Sequence, residues 1–269
     1  MSILTDVVTS AERRLRYEMA GHWDGETLPR RYRDLLDERA ESLAVVDLLG
    51  ARKVSYARLE EDSNRVGNLL LERGLEPGDV VAVQLPNWYE SVAVGLGALK
   101  AGAVVNPMLT IYRAHELRHM LTVARTRFLF TPEVYRGWDH PAMVAGLELG
   151  VGARLQHLAV PEPSPESSPF LESLAAVSSA AVAVGRPAAE VSELLFTSGT
   201  EAAPKAVLHT EQTVNFTARS IWASLGMRSD DVVWMPSPVG HSTGFNLGLR
   251  LSLYHGLRLV LQDRWDPDA

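Results

Sequence analysis

Apolar residues along this chain recur at two periods, and the two periods alternate. Short continuous or every-second-residue apolar runs read as strands, and stripes recurring every three or four residues read as helices. Segments 43–49 and 53–56 pair as a hairpin around Gly50-Ala51. Ser55 stands where a helix N-cap belongs, ahead of a stripe of Leu59, Val66, Leu69 and Leu70. That helix stops at Gly74, and Pro77-Gly78-Asp79 turns the chain into strand 80–85. Helix 89–101, strand 103–106, helix 114–125, strand 128–131, a helix near 141–149 and strand 155–160 follow. Later come strands 193–197 and 206–209, helix 211–225, strand 231–235, helix 245–255 and strand 257–262. Such alternation predicts an α/β protein of layered sheets flanked by helices. No repeat of fixed period is present.

The pattern breaks once. Pro161, Pro163, Pro165 and Pro169 alternate with Ser164, Ser167 and Ser168, and an Ala/Ser/Val stretch follows. This reads as a surface connection between two sheets of one domain, with a floppy interdomain linker as the alternative. The expected organisation is a first α/β subdomain over 1–160, a connection over 161–190 and the start of a second α/β subdomain over 191–269. Past strand 257–262, Asp266-Pro267 reads as a helix start whose helix does not follow, so a truncated architecture is expected.

Composition narrows the class without naming it. The 46% hydrophobic and 22% charged fractions over 269 residues are those of a soluble globular protein. With no cysteine there is no disulfide, thiolate metal site or thiol nucleophile. A net charge of −7 with no basic block excludes the electrostatic footprint of a nucleic-acid binder. Asp6, followed by Arg13, Arg14 and Arg16, is unlike a signal peptide. Lys100 and Asn106 interrupt the longest apolar stretch, so no membrane span is expected and the predicted location is cytoplasmic.

Three motifs invite a function and lose it on inspection. His115-Glu116-Leu117-Arg118-His119 matches the zinc-protease pattern. On a helix, however, Leu117, Met120, Leu121 and Ala124 share the buried face, leaving both histidines on the solvated side beside Arg118, and no metal site is expected. Gly240-His241-Ser242-Thr243-Gly244 matches a hydrolase nucleophile elbow, but Pro236 and Pro238 break the strand before it. No acid separates Ser242 from His255, the last histidine, so no triad can form in the required order. Gly95-Leu96-Gly97-Ala98-Leu99-Lys100 opens like a dinucleotide fingerprint but lies inside a helical pattern, where close helix packing explains its glycines.

The stretch Leu195-Phe196-Thr197-Ser198-Gly199-Thr200-Glu201-Ala202-Ala203-Pro204-Lys205-Ala206-Val207-Leu208-His209 differs in kind. Hydroxyls and a glycine at the end of an apolar strand, with a lysine following, offer converging donors and a cation. Those are the requirements for a polyphosphate, although the spacing is not that of a Walker loop.

This stretch resembles the phosphate-binding signature of the adenylate-forming ligases (acyl- and aryl-CoA synthetases, adenylation domains, luciferases), which runs T-S-G-T-T-G-x-P-K-G-V. Val54-Ser55-Tyr56-Ala57-Arg58-Leu59 resembles the family's T-Y-x-E-L element. Leu99-Lys100-Ala101-Gly102-Ala103-Val104-Val105-Asn106-Pro107 resembles the next core element, and Pro238-Val239-Gly240-His241-Ser242-Thr243-Gly244 the later P-x-x-H-x-x-G element. All four occur in the family's order. Segments 105–113 and 235–241 look most like cyclohexanecarboxylate and medium-chain acyl-CoA ligases, with an aryl-acid ligase as the near relative.

The resemblance implies the N-terminal part of the large domain of an acyl-CoA synthetase fold. It implies ATP, Mg²⁺ and coenzyme A as cofactors and a small carboxylic acid as substrate. The carboxylate attacks the α-phosphate to give acyl-adenylate and pyrophosphate, and the thiol then displaces AMP. Thr197, Ser198, Gly199, Thr200, Glu201 and Lys205 are carried over as the phosphate-binding positions. His241, Thr243 and Gly244 are carried over as the acyl-pocket and carboxylate wall, with Gly244 giving clearance. Glu201 stands where the family has a second threonine, beside a triphosphate it repels, so Glu201→Thr is expected to tighten nucleotide binding in a titration. Ala202 and Ala206 replace glycines. The Y-G-x-T-E and T-G-D elements and the hinge are absent, and the adenylation lysine is expected downstream. No catalytic residue is therefore expected within this chain, which should be inactive alone and prone to self-association at the surface meant for a C-terminal half. The alternative is a non-catalytic remnant or nucleotide-binding module.

Overall fold

A computed structural model describes residues 9–47, 51–150, 154–182, 184–197 and 204–264. The elements in chain order are α1 (Ala11–Met19), α2 (Leu28–Arg39), β1 (Leu43–Asp47), β2 (Arg52–Ser55), α3 (Tyr56–Glu72), β3 (Val80–Val83), α4 (Tyr89–Lys100) and β4 (Val104–Pro107). Then follow α5 (Ala114–Ala124), β5 (Phe128–Pro132), β6 (Val134–Tyr135), β7 (Trp138–Asp139), α6 (His140–Ala145), β8 (Gln156–Val160) and α7 (Pro169–Ser173). The remainder is β9 (Val191–Phe196), β10 (Ala206–Thr210), α8 (Glu211–Leu225), β11 (Val232–Met235), a helix α9 over 243–255, and β12 (Arg258–Leu261). The first eight residues of α9, Thr243–Arg250, are wound as a π-helix.

The expected hairpin forms, with β1 and β2 antiparallel. Ser55 caps α3 as expected, its hydroxyl accepting from the Arg58 amide at 3.2 Å. Leu59, Val66, Leu69 and Leu70 all face the core. Helices α1 and α2 were not called for by the apolar pattern. Of the two, α1 buries none of its residues, while α2 is capped by Thr27 and buries Leu28, Tyr32 and Leu35.

The strands form a six-stranded sheet in the order β10-β9-β4-β3-β5-β8 and a four-stranded sheet in the order β11-β12-β1-β2. In the larger sheet all neighbours are parallel except β9 and β10. Strands from both sides of 161–190 enter both sheets. The connection therefore runs from the β8 edge back into the same sheet at β9, and does not lead from one sheet to another as the composition break suggested. It is packed as well: Phe170, Leu171, Leu174 and Val182 are buried, and Asn68 donates to the carbonyls of Ser178 and Ala180 at 2.8 and 3.0 Å.

One continuous core joins the four-stranded sheet, helices α2, α3, α4 and α9, and one face of the six-stranded sheet. All twelve residues of α4 are buried. Helix α3 crosses α4 so closely that a Cβ on Gly97 would lie 2.5 Å from the Ser63 carbonyl oxygen. The glycines of the fingerprint-like segment thus serve helix packing. The opposite face of the larger sheet is covered by α5 through Leu117, Met120 and Leu121. No helix among the described residues is long and apolar enough to cross a membrane.

Candidate functional site

Open parallel sheets place ligands beyond the carboxyl ends of their strands. Here the chain leaves β3, β4 and β9 into three loops at that end, and the loop after β11 joins them. Buried amide side chains set the geometry. Gln84, just past β3, donates from Nε2 to the carbonyls of Leu109 and Tyr112 at 3.0 and 3.1 Å, holding the loop after β4. Asn87 donates to the carbonyls of Met235, Ser237 and Gln262 at 3.3, 3.0 and 3.0 Å. Its Oδ1 accepts from the Val239 amide at 2.7 Å. One side chain thereby ties the 236–242 loop to the four-stranded sheet. Neither residue was singled out in the sequence, where the only signal is a polar amide lying just beyond an apolar run.

The 236–242 loop then passes the loop after β4 at backbone contact. A Cβ on Gly240 would lie 2.1 Å from the Met108 carbonyl oxygen, and one on Gly244 would lie 2.1 Å from that of Pro238. The space at Gly244 is taken by the loop's own backbone, so its role is tight turning; the expected clearance for substrate is not what the geometry provides. His241 is exposed. Its Nδ1 accepts from the Thr243 amide at 3.2 Å and lies 3.2 Å from the Thr243 hydroxyl. Since Nδ1 is an acceptor, the neutral ring carries its proton on Nε2, which is left as a donor.

The strand pair β9–β10 is closed at its open end by Thr197 and Lys205. The Thr197 amide donates to the Lys205 carbonyl at 2.9 Å, and the Lys205 amide donates to the Thr197 hydroxyl at 3.2 Å. The Lys205 side chain is exposed, and no carboxylate among the described residues pairs with it. Ser198, Gly199, Thr200 and Glu201 lie outside the described residues. A hollow of about 350 Å³ separates the end of β9 from the 236–242 loop, lined by Met108, Tyr112, Met120, Phe196, His241 and Ser242. Gly240 lines this hollow and also a second, larger one of about 620 Å³, bounded by Leu109, Ile111, Tyr135, Pro236 and Asp263. The 236–242 loop is thus a partition between two cavities. Tyr135 donates to Asp263 at 2.8 Å, and burial together with that carboxylate pushes its hydroxyl up to about 12.

The misleading motifs resolve as follows. Among the described residues Ser242 has no acid–histidine partner, and the His255 ring stacks on Trp222 at 4.4 Å, where burial pushes it down to about 4. Among the described residues no group of three His, Cys, Asp or Glu could hold a metal. Within the zinc-like pattern, His119 is half-buried against the β9–β10 pair and not on the solvated side as expected.

Beneath the site lies a buried network that sequence reading missed. Arg250 on α9 donates to Glu211 at 2.8 Å and to Asn215 at 3.0 Å, both on α8, and approaches Glu193 on β9 at 3.5 Å. Asn246 donates to Glu193 at 2.6 Å. The strand that delivers the Thr197 loop and the helix that follows the His241 loop are held as one unit. The available signal was a lone arginine in an otherwise apolar helix.

Comparison with known proteins agrees with this geometry. The chain is 32% identical over 260 residues to the medium-chain fatty-acid–CoA ligase of Escherichia coli (strain K12), covering 96% of this chain and 46% of that one. It is 29% identical to a salicylyl-CoA synthase/salicylate adenylyltransferase of a Streptomyces species, covering 94% of this chain and 47% of that one. The crystal structure of ATP-bound MatB from Rhodopseudomonas palustris superposes with a TM-score of 0.76 at 28% identity, over 91% of this chain and 46% of that one. The chain thus spans about half the length of the relatives it matches. The model of the AMP-binding enzyme family matches residues 34–269, and this chain belongs to that family.

Proposed function

We propose that the chain forms the nucleotide- and acid-facing part of a carboxylic acid–CoA ligase of the acyl-CoA synthetase type. The observation that carries this reading is that the strand end leading into Thr197 and the loop bearing His241 line one hollow at the carboxyl ends of the larger sheet. The reaction is attack of a substrate carboxylate oxygen on the α-phosphorus of ATP, with pyrophosphate leaving. Addition of the coenzyme A thiol to the acyl carbon then expels AMP. Neither step needs a protein nucleophile, so the chain's part is positioning and charge. Thr197, Ser198, Gly199, Thr200 and Lys205 hold the β- and γ-phosphates, with Glu201 opposing them. The Nε2–H of His241 offers a donor to the carboxylate. Among the described residues no group of three His, Cys, Asp or Glu could hold a metal, and no step is routed through Mg²⁺. We place the enzyme in the cytoplasm.

The 29% identical salicylate-activating relative supports an aryl acid as the second reading of the substrate. Competition against a fluorescent nucleotide by octanoyl- and salicyl-adenylate mimics separates the two. Nucleotide binding by the chain should weaken about tenfold in Lys205→Ala, the size of one lost charge-assisted contact. No ATP binding, or indifference to Lys205→Ala, would defeat the reading. With no Y-G-x-T-E or T-G-D element in its sequence, the chain alone is expected to give no ATP–pyrophosphate exchange above a no-protein control. Self-association is proposed through the β11 edge, where Val232 and Trp234 are about half exposed. Val232→Lys should then shift sedimentation toward monomer.

A further inference from the structure

The His-Glu-x-x-His segment of α5 is not used by the proposed chemistry, yet its second histidine sits against the proposed phosphate-binding loop. His119 Nε2 lies 3.0 Å from the Pro204 carbonyl oxygen, and its ring meets that of Phe196 edge-on at 6.4 Å. Phe196 immediately precedes Thr197, and Pro204 immediately precedes Lys205. One imidazole therefore touches both arms of the loop, at the residues next to the two that close it. We propose that His119 is a positioning residue for this loop, clasping Pro204 so that the backbone of Lys205 is held at a fixed height beside Thr197.

Several features support the clasp. Proline has no N–H, so its carbonyl is the only backbone group Pro204 offers to a partner. A carbonyl can only accept, which places a proton on His119 Nε2. Strand β10 is the edge of the six-stranded sheet, so no strand among the described residues holds its outer side. Beyond its ladder to β9, the arm is tied at this end by the Thr197–Lys205 pair and by His119. The helix carrying the histidine is itself well fixed. Leu117, Met120 and Leu121 are buried with Ala82 and Leu129, and the Glu116 carboxylate accepts from the Arg113 amide at 3.0 Å to cap the first turn. The pattern that looked like one metal site is thus three separate arrangements: an exposed His115, a capping Glu116 and a clasping His119. Met120, next along the helix, lines the hollow opposite His241, so the same helix that fixes the loop also walls the cavity.

This inference rests on reading 197–205 as the phosphate loop, and its test separates the two. The probes are TNP-ATP, titrated by fluorescence into the 269-residue chain, and hydrogen exchange at the Thr197 and Lys205 amides. His119→Ala should weaken TNP-ATP about fivefold, the scale of one hydrogen bond. It should also speed exchange at those two amides while leaving strand β3 unchanged. His119→Gln, whose side-chain N–H can reach the same carbonyl, should restore both readouts to within about twofold of wild type. A merely structural role would give equal defects in both variants and lower their melting temperatures. The clasp is overturned if His119→Ala matches wild type in affinity and exchange, or if His119→Gln is as impaired as His119→Ala. If the wild-type chain fails to bind TNP-ATP, the phosphate-loop reading falls, and exchange at Thr197 and Lys205 still decides whether His119 holds the hairpin.

Discussion

Two arginines in this molecule each face two buried carboxylates, and they differ in how far the cation is sealed from water. Arg52 on β2 makes paired bonds to Asp47 at 2.9 and 2.6 Å and to Glu90 at 2.7 and 2.8 Å. Its side chain remains 10% exposed, at the wall of an open hollow of about 570 Å³. Arg250 on α9 has no exposure and spreads its bonds over Glu193, Glu211 and two amides. Both clusters carry one more acid than base. In each, burial pushes one carboxylate upward, Asp47 in the first and Glu193 in the second. At Arg52 the cation lies at the solvent margin, while Asp47 and Glu90 are themselves fully buried. At Arg250 the cation and Glu193 are both sealed, and burial holds the Glu193 carboxyl above its ordinary value. The same composition thus makes a clamp with its cation at the solvent margin at one place and a fully sealed network at the other.

The sealed network should be the more fragile. Arg250→Met leaves Glu193 and Glu211 buried without their cation and should remove about 3–5 kcal/mol of stability in chemical denaturation. Arg52→Met should lose less, about 2 kcal/mol, because solvent can enter the vacated position. If the two losses are equal, access to water is not what distinguishes the sites.

The titration of Glu193 gives the next smaller effect, and its sign can be worked out. A carboxyl whose folded-state pKa is raised binds its proton more readily when folded. Its stabilising contribution is complete below the ordinary value of 4.5 and is lost as pH rises through the folded value. Glu193→Gln retains an acceptor for Asn246 and removes the ionisation. Its stability relative to wild type should therefore grow, by on the order of 1 kcal/mol, as pH is raised above the carboxylate range. A parallel pair of stability–pH curves would refute a raised Glu193 titration.

Smallest should be Ser168→Ala, which removes the Ser168 hydroxyl from Glu90 at 2.5 Å, at a cost of about 0.5–1 kcal/mol. Its value is local, since Ser168 joins the 161–190 connection to the Arg52 cluster. Proteolysis within that connection should quicken in the variant while the Arg250 side of the molecule is unaffected.

These networks also mark the limit of what the chain's pattern reveals. Periodicity located α3, α8 and the strands of both sheets to within a few residues, because apolar faces must be buried wherever those elements pack. The loop 197–205 and the His241 segment could be picked out as candidates as well, since the chemistry proposed for them depends on residue type and short spacing. Glu193, Glu211 and Arg250 were not legible: each lies in a segment whose periodicity is complete without it, and their meeting spans 57 positions between Glu193 and Arg250. Gln84 and Asn87 were missed for the same reason, as an amide's value here lies in carbonyls up to 175 positions away.

His119 shows the boundary most clearly. Helical geometry correctly turned it away from the buried stripe of α5. It could not reveal that the polar face of that helix would meet the end of β9–β10. Local order, burial and the identity of the loops follow from side-chain period and composition, which act over one or two turns. Which strands share a sheet, which charges are sealed from water and what a polar face touches depend on chain crossings such as the return from β8 to β9. Those crossings are settled by packing the whole core, and no short window of residues contains them.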